Sequence, residues 1–167
     1  MVTRVGASMR EGLREEIVQY IKSHHVMTLA TTAHGRPWAA AVFYASKDLT
    51  LLFVSEPDSR HCMDLRECRT VSAAIHENYE NWREIRGLQL EGTAEPVPTR
   101  ELASALAVYL AKFPFVKEFL TPQGLFRVAG RTLGARFYRL SPFRLLLLDN
   151  RKAFGHREEL VVDYEGS

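Results

Sequence analysis

The stretch WAAAVFYASKDLTLLFVSEPDSRHCMDL, residues 38–65, decides the fold of this chain. Residues 38–45 have the composition of one strand and residues 49–55 that of the next, with SKD between them making a tight turn. Because a link this short leaves no room for a crossover helix, the two strands must pair antiparallel. A short helix over about 59–67 follows at once. The stretch therefore predicts a β-hairpin whose second strand leads directly into a helix.

The flanking sequence extends this hairpin into a larger antiparallel sheet. VMTLATT (26–32) precedes it as a strand, joined to it by the turn HGRP, and further strands follow the helix. Closing such a sheet removes its exposed edges, so the chain is expected to form a small barrel or a sharply bent sheet of five to seven strands. The predicted elements are helices over 9–23 and 99–113, a barrel core over 26–97 that includes strands at 70–77 and 84–97, and two C-terminal strands over 134–150. Glycines at positions 87 and 92 inside the long strand are expected to mark a bend or a bulge.

The bulk composition limits the classes of protein to which this chain can belong. Its 167 residues are 46% apolar and 25% charged, which is typical of one globular domain over residues 1–167. The net charge of +2 gives no reason to expect a nucleic-acid partner, and no apolar run approaches the length of a membrane span. The N-terminus has no hydrophobic signal core. Cys62 and Cys68 lie on different sides of the predicted helix, so reduced thiols and a cytoplasmic location are expected.

The start of the short helix carries positive charge where a helix is already positive. Ser59, Arg60 and His61 stand at the end where free N–H groups and the macrodipole disfavour cations. Asp58 or Ser59 is expected to cap the helix. An anion held between the side chains and the amides would account for the pattern, and a phosphate suits both the planar fork of arginine and a serine hydroxyl. The alternative is a surface Arg-His pair in which Asp58 neutralises Arg60.

Two further patterns bear on the kind of site. Three consecutive alanines at 39–41 are unusual in a strand because alanine has a low β propensity. Small side chains would let a flat ligand lie against the backbone, although they would equally fit a tight barrel interior. The six histidines show neither an HExxH motif nor zinc-type Cys/His spacing, so no metal site is predicted. No nucleophile elbow is present, and no catalytic residue is assigned.

The order of these elements resembles the pyridoxamine 5'-phosphate oxidase-like, FMN-binding split-barrel superfamily. The opening stretch, continued by TVSAAI and then EIRGLQLEGTAEPV (84–97), carries this resemblance over about residues 24–97. The resemblance implies a mainly β chain with a six- to seven-stranded antiparallel split β-barrel and flanking helices. It also implies a homodimer with FMN at the subunit interface, in which Ser59, Arg60 and His61 hold the FMN phosphate.

The same resemblance assigns the remaining site residues. The flavin ring would lie along one strand, largely against its backbone, at Trp38, Ala39, Ala40, Ala41 and Val42. Trp82 and Gln89 would complete the site from the second chain.

The resemblance also limits the activity that is expected. His61 stands where lysine is common in the oxidase, which would make phosphate affinity more dependent on pH. The C-terminal tryptophan and arginine pattern that grips pyridoxal phosphate is not recognisable, so vitamin B6 oxidation is not expected. The predicted function is an FMN-dependent oxidoreductase acting on an unknown small molecule. The alternative is a non-catalytic dimer of the same fold that binds or senses flavin or haem.

Overall fold

The computed structural model describes residues 7–120, 126–128 and 131–162. The first six residues belong to the N-terminal segment in which no signal core was predicted, and they lie outside these ranges. The α-helices are α1 (Ala7–Ser23), α2 (Arg60–Glu67) and α3 (Leu102–Lys112). Short 3-10 segments lie at Trp82–Glu84, Thr99–Glu101 and Pro114–Phe119. The strands are β1 (Val26–Ala33), β2 (Arg36–Lys47), β3 (Thr50–Ser55), β4 (Thr70–His76), β5 (Arg86–Pro96), β6 (Phe126–Val128), β7 (Arg131–Leu133), β8 (Arg136–Asp149) and β9 (Arg157–Val161).

Six of these strands close into an antiparallel barrel. The neighbours run in the order β3-β2-β1-β4-β5-β8, and the first half of β8 pairs back onto β3 to complete the ring. β9 adds to the second half of β8, while β6 and β7 form a separate two-stranded sheet. The predicted mainly β fold, a six- to seven-stranded antiparallel barrel with flanking helices, is therefore confirmed.

The C-terminal strands differ from the prediction in two ways. The two strands expected over 134–150 are one continuous strand, β8. Pro142, a residue type that usually interrupts a strand, lies opposite Gly92 at the bulge between Glu91 and Gly92, where the regular ladder is interrupted. The strand β9 was not expected because its sequence, REELV, is mostly charged. It forms because those charges find partners, as when Glu159 accepts from Arg144 at 2.5 Å.

The alternation of side chains along each strand separates an inner and an outer face. Residues of even number on β2 and odd number on β1 point into the barrel, where they join buried side chains from α1 and α2 in one apolar core. A second, smaller core lies outside the barrel, where α3 packs on Ala45, Leu52 and Phe137. None of the helices in the described ranges combines the length and the apolarity that crossing a membrane requires.

A buried carboxylate, that of Asp149, stabilises the end of β8. Asp149 is almost fully buried and accepts hydrogen bonds from both the backbone and the guanidinium of Arg151. Arg86, which is also hydrogen-bonded to Glu16 of α1, lies 3.6 Å away. The hydrogen bonds from Arg151 outweigh the effect of burial and lower the pKa of Asp149 from its usual 3.8 to about 2.

We expect Asp149→Asn to lower the free energy of unfolding at pH 7 by about 2 kcal/mol. A carboxyl group whose pKa is lower in the folded state stabilises the fold above its unfolded pKa, and this contribution disappears as the pH falls from about 4 to 2. Urea denaturation across this range should show a shallower pH dependence in the variant. Glu80→Gln, in an exposed loop, is the control, and equal pH profiles for wild type and Asp149→Asn would contradict the prediction.

Candidate functional site

The start of α2 lies at one mouth of the barrel. β3 ends at Ser55, and a tight turn, in which the Ser59 N–H donates to the Glu56 carbonyl at 3.0 Å, brings the chain into α2. The helix then packs against the ends of β1 and β2. The motif that the sequence singles out is thus placed on a short helix whose first turn is fixed by the barrel wall.

Three side chains lie within hydrogen-bond distance of one another at the start of α2, namely those of Ser55, Ser59 and His61. Nε2 of His61 lies 2.7 Å from Ser55 Oγ and 3.3 Å from Ser59 Oγ, and the two hydroxyl oxygens are 3.2 Å apart. Ser59 occupies the N-cap position but its side chain makes no capping hydrogen bond, so the predicted cap is wrong. The hydroxyl faces Ser55 and His61 instead. We call these three residues the Ser-Ser-His corner.

The corner continues into the barrel through Cys62 and Tyr138. Burial would raise the pKa of the Cys62 thiol, but hydrogen bonds with His61, Ser59, Tyr138 and Ser55 lower it to about 7. Burial and the contact with Cys62 raise the pKa of Tyr138. Cys62 is a free, buried thiol, as is consistent with the reduced state expected from the sequence. These groups make the inner wall of the corner polar.

Arg60 contacts a different set of residues from His61. Its Nε donates to Asp64 Oδ1 at 2.9 Å, and its guanidinium carbon lies 5.5 Å from the centre of the Trp38 ring. The expected alternative partner, Asp58, instead lies 3.6 Å from Arg66, so that interpretation is wrong. Within the described ranges, Nε is the only nitrogen of Arg60 with a hydrogen-bond partner, and the side chain is 39% exposed.

Asp64 is a functional candidate that the sequence interpretation missed. Its side chain is only 4% exposed, and Oδ2 accepts a hydrogen bond of 2.8 Å from the Thr31 hydroxyl. Burial alone would raise the pKa of Asp64, but the hydrogen bonds from Thr31 and Arg60 lower it below its usual value. The spacing of four residues between Arg60 and Asp64 was the available signal, since such pairs are neighbours on a helix.

The predicted ring-side residues alternate between the two faces of β2. Ala39 and Ala41 lie on the outer face, Ala40 and Val42 on the inner, and Trp38 lies at the mouth beside Arg60. The ladder register places small residues of the neighbouring strands next to the outward alanines. One row across the strands is Ala41, Thr28, Ala74, Gln89 and Leu146, and the next is Ala39, Ala30, Ser72, Glu91 and Arg144. We call these ten residues the outer face; its part on β1, β4, β5 and β8 forms a groove of about 300 Å³, which the two alanines of β2 do not line.

Gln89 and Trp82 are separated in the structure. Gln89 lies on the outer face, in the same row as Ala41. Trp82 lies beyond the opposite end of β4 from α2, where its carbonyl accepts from Asn150 and its ring packs edge-on against Phe154. One chain therefore brings Gln89, but not Trp82, to the surface that includes two of the ring-side residues, Ala39 and Ala41. Within the described ranges, no group of three or more His, Cys, Asp or Glu side chains is arranged to hold a metal ion.

A closed six-stranded antiparallel barrel with helices on its outside places this chain in the split-barrel class of proteins. The family model described as pyridoxamine 5'-phosphate oxidase matches residues 13–134, more than two thirds of the chain. The chain therefore belongs to the pyridoxamine 5'-phosphate oxidase family, as its sequence resemblance predicted.

Individual relatives are more distant. A UPF0306 protein of Pasteurella multocida is 24% identical over 103 residues, which span 60% of this chain and 69% of that protein. A haem-binding protein from Mycobacterium smegmatis has a TM-score of 0.66 at 21% identity, over 95% of this chain and 59% of the other. A FAD-binding protein from Mesorhizobium loti has a TM-score of 0.59 at 17% identity, over 78% and 88%. At these identities the two structures support the fold alone.

Proposed function

We propose that this protein is an FMN-binding homodimer and an FMN-dependent oxidoreductase that acts on a small molecule. The observation that carries the proposal is the arrangement at the start of α2. Arg60 is hydrogen-bonded through Nε, which leaves its terminal nitrogens without a partner among the described residues, and it stands in the sequence between Ser59 and His61 of the Ser-Ser-His corner.

These groups suit the phosphate monoester of FMN. The guanidinium offers a charged fork, the hydroxyls of Ser55 and Ser59 and the imidazole of His61 offer further donors, and the first N–H groups of α2 add the favourable end of the helix dipole. Among the residues that the structure describes, the carboxylate paired with Arg60 is that of Asp64, and its two oxygens are already engaged by Arg60 and Thr31. The donor set therefore fits a dianion.

The outer face suits a flat ring and a second subunit. Its central positions are alanine, serine and threonine, so another backbone or a planar ligand can approach the sheet closely. A large apolar side chain borders it, because Phe43 points to the same face of β2 and is 54% exposed. A two-fold dimer would cover this surface with its own copy, which accounts for apolar exposure of this kind. Gln89 would then face the interface, and Trp82 would contribute from the partner only if the two copies overlap that far.

The redox chemistry would belong to the cofactor, because bound FMN supplies hydride and electron transfer. The chain would hold the phosphate at α2, orient the ring against β2 and exclude water through the dimer contact. No acid or base from the chain is assigned to the reaction. The free thiols of Cys62 and Cys68 fit a cytoplasmic setting.

We expect Arg60→Ala to weaken FMN binding by about 1.5–3 kcal/mol, or roughly 10- to 150-fold, because a hydrogen bond to a charged group is lost. Flavin fluorescence quenching on titration of the apoprotein measures this affinity. Arg69→Ala is the matched control, since Arg69 lies beyond the end of α2 and pairs with Glu95. Equal FMN affinities for Arg60→Ala and wild type would remove Arg60 from the site.

The absorption spectrum separates the proposed function from the haem-binding alternative, which the fold shared with the haem-binding protein from Mycobacterium smegmatis favours. We expect two flavin bands that bleach on addition of a reduced nicotinamide. A Soret band with no flavin uptake would instead support haem binding. A flavin that is bound but never turns over would support a storage or sensing role.

A further inference from the structure

We infer that Asp64 and Thr31 are positioning residues that orient Arg60 so that it binds the phosphate end-on, through Nη1 and Nη2. This inference rests on the proposed function. It concerns residues that would not touch the cofactor themselves, and it makes the geometry at Arg60, rather than its charge alone, responsible for selecting a phosphorylated flavin.

The first support is that both oxygens of the Asp64 carboxylate accept hydrogen bonds. One oxygen accepts from Arg60 Nε at 2.9 Å and the other from Thr31 Oγ1 at 2.8 Å. Thr31 is itself buried, on the inner face of β1. A barrel strand therefore fixes the hydroxyl, the hydroxyl fixes the carboxylate, and the carboxylate fixes the guanidinium.

The second support is that one cross-strand pair holds Arg60 from two sides. Thr31 of β1 lies directly opposite Trp38 of β2 in the ladder. Thr31 acts on the Arg60 guanidinium through Asp64. The centre of the Trp38 ring lies 5.5 Å from the guanidinium carbon. Fixing a long side chain before the ligand arrives reduces the conformational entropy that binding would otherwise cost.

The third support is the identity of the Arg60 nitrogens that remain available to a phosphate. An arginine can meet a phosphate side-on, through Nε and one terminal nitrogen, or end-on, through both terminal nitrogens. Because Nε is occupied by a buried carboxylate, the end-on approach is the one that keeps every hydrogen bond. A lysine at this position has one ammonium group to share between Asp64 and the phosphate, so it cannot replace the arginine.

The test is a double-mutant cycle measured with two ligands, FMN and riboflavin, which differ by the phosphate. We expect Asp64→Ala to weaken FMN binding about 10-fold and Thr31→Val about threefold, in keeping with the loss of hydrogen bonds. Riboflavin affinity should stay within twofold of wild type in both. In an Arg60→Ala background, Asp64→Ala should cause no further loss of FMN affinity. Arg60→Lys should lose about as much FMN affinity as Arg60→Ala.

Several outcomes would overturn the inference. Tighter FMN binding by Asp64→Ala would mean that the carboxylate acts only as a charge competing for Arg60. Equal losses for FMN and riboflavin, or a loss that persists without Arg60, would mean a merely structural role. Should Asp64→Ala fail to fold, Asp64→Asn and Thr31→Val provide the same comparison. A wild-type protein that does not prefer FMN to riboflavin would refute the proposed phosphate site itself, whereas a wild-type preference that Asp64→Ala retains would refute only the positioning role.

Discussion

Gly92→Ala should lower the free energy of unfolding by about 3 kcal/mol, at the upper end of the cost of overpacking. A Cβ added at this position would lie 2.5 Å from the Ser141 carbonyl oxygen and 2.9 Å from the Cα of Pro142. Both are backbone atoms of β8, so no side-chain rotation can relieve the contact. The strands would have to separate at the bulge that lets the long ladder between β5 and β8 bend around the barrel.

Urea denaturation monitored by tryptophan fluorescence would measure this effect. Gly12→Ala is the matched control, because Gly12 lies in α1 with open space around the position of a new Cβ. The control should gain about 0.5–1 kcal/mol, since alanine favours a helix more than glycine does. Equal stabilities for Gly92→Ala and wild type would show that the close approach of β5 and β8 does not constrain the barrel.

The barrel could be predicted because its signals are local. The turn between β2 and β3 is too short for anything but an antiparallel pair, and one of the two glycines of β5, Gly92, lies at the observed bulge, whereas Gly87 pairs regularly with Leu148. These features depend on neighbouring residues and on steric rules that hold in any context. At β8 the local signal was misleading. Pro142 is locally a strand breaker, and only its partner Gly92 on a distant strand makes it tolerable there.

The residues that hold Arg60 in place were harder to predict because they depend on contacts between distant parts of the chain. Arg60 and His61 are adjacent in sequence, which suggests that they act on one ligand together, yet each has its own set of partners. The link from Arg60 to Asp64 was present in the helical spacing. The link from Asp64 to Thr31 spans 33 residues and exists only once β1 lies beneath α2. Sequence thus predicts which residues carry the charge, while the fold determines the direction in which that charge is presented.

Ala74→Arg should convert the proposed dimer into a monomer and, with it, abolish FMN binding. Ala74 lies near the centre of the outer face, between Thr28 and Gln89 in one row across the strands. A two-fold interface contains this position twice, so the substitution adds two charges to a surface whose central positions are alanine, serine and threonine and whose charged residues, Glu91 and Arg144, already pair with each other. Burying a charge without a partner costs about 3–5 kcal/mol, which corresponds to a weakening of dimerisation by roughly 100- to 5,000-fold.

The monomer itself should remain folded, because the Ala74 side chain points away from the barrel core and the new arginine would meet solvent. Sedimentation velocity gives the oligomeric state, circular dichroism the fold, and fluorescence titration the FMN affinity. Gln19→Arg introduces the same charge at an exposed position of α1 and should leave all three unchanged. A dimer that survives Ala74→Arg would place the interface elsewhere. A folded monomer that still binds FMN with wild-type affinity would show that one chain alone forms the complete site.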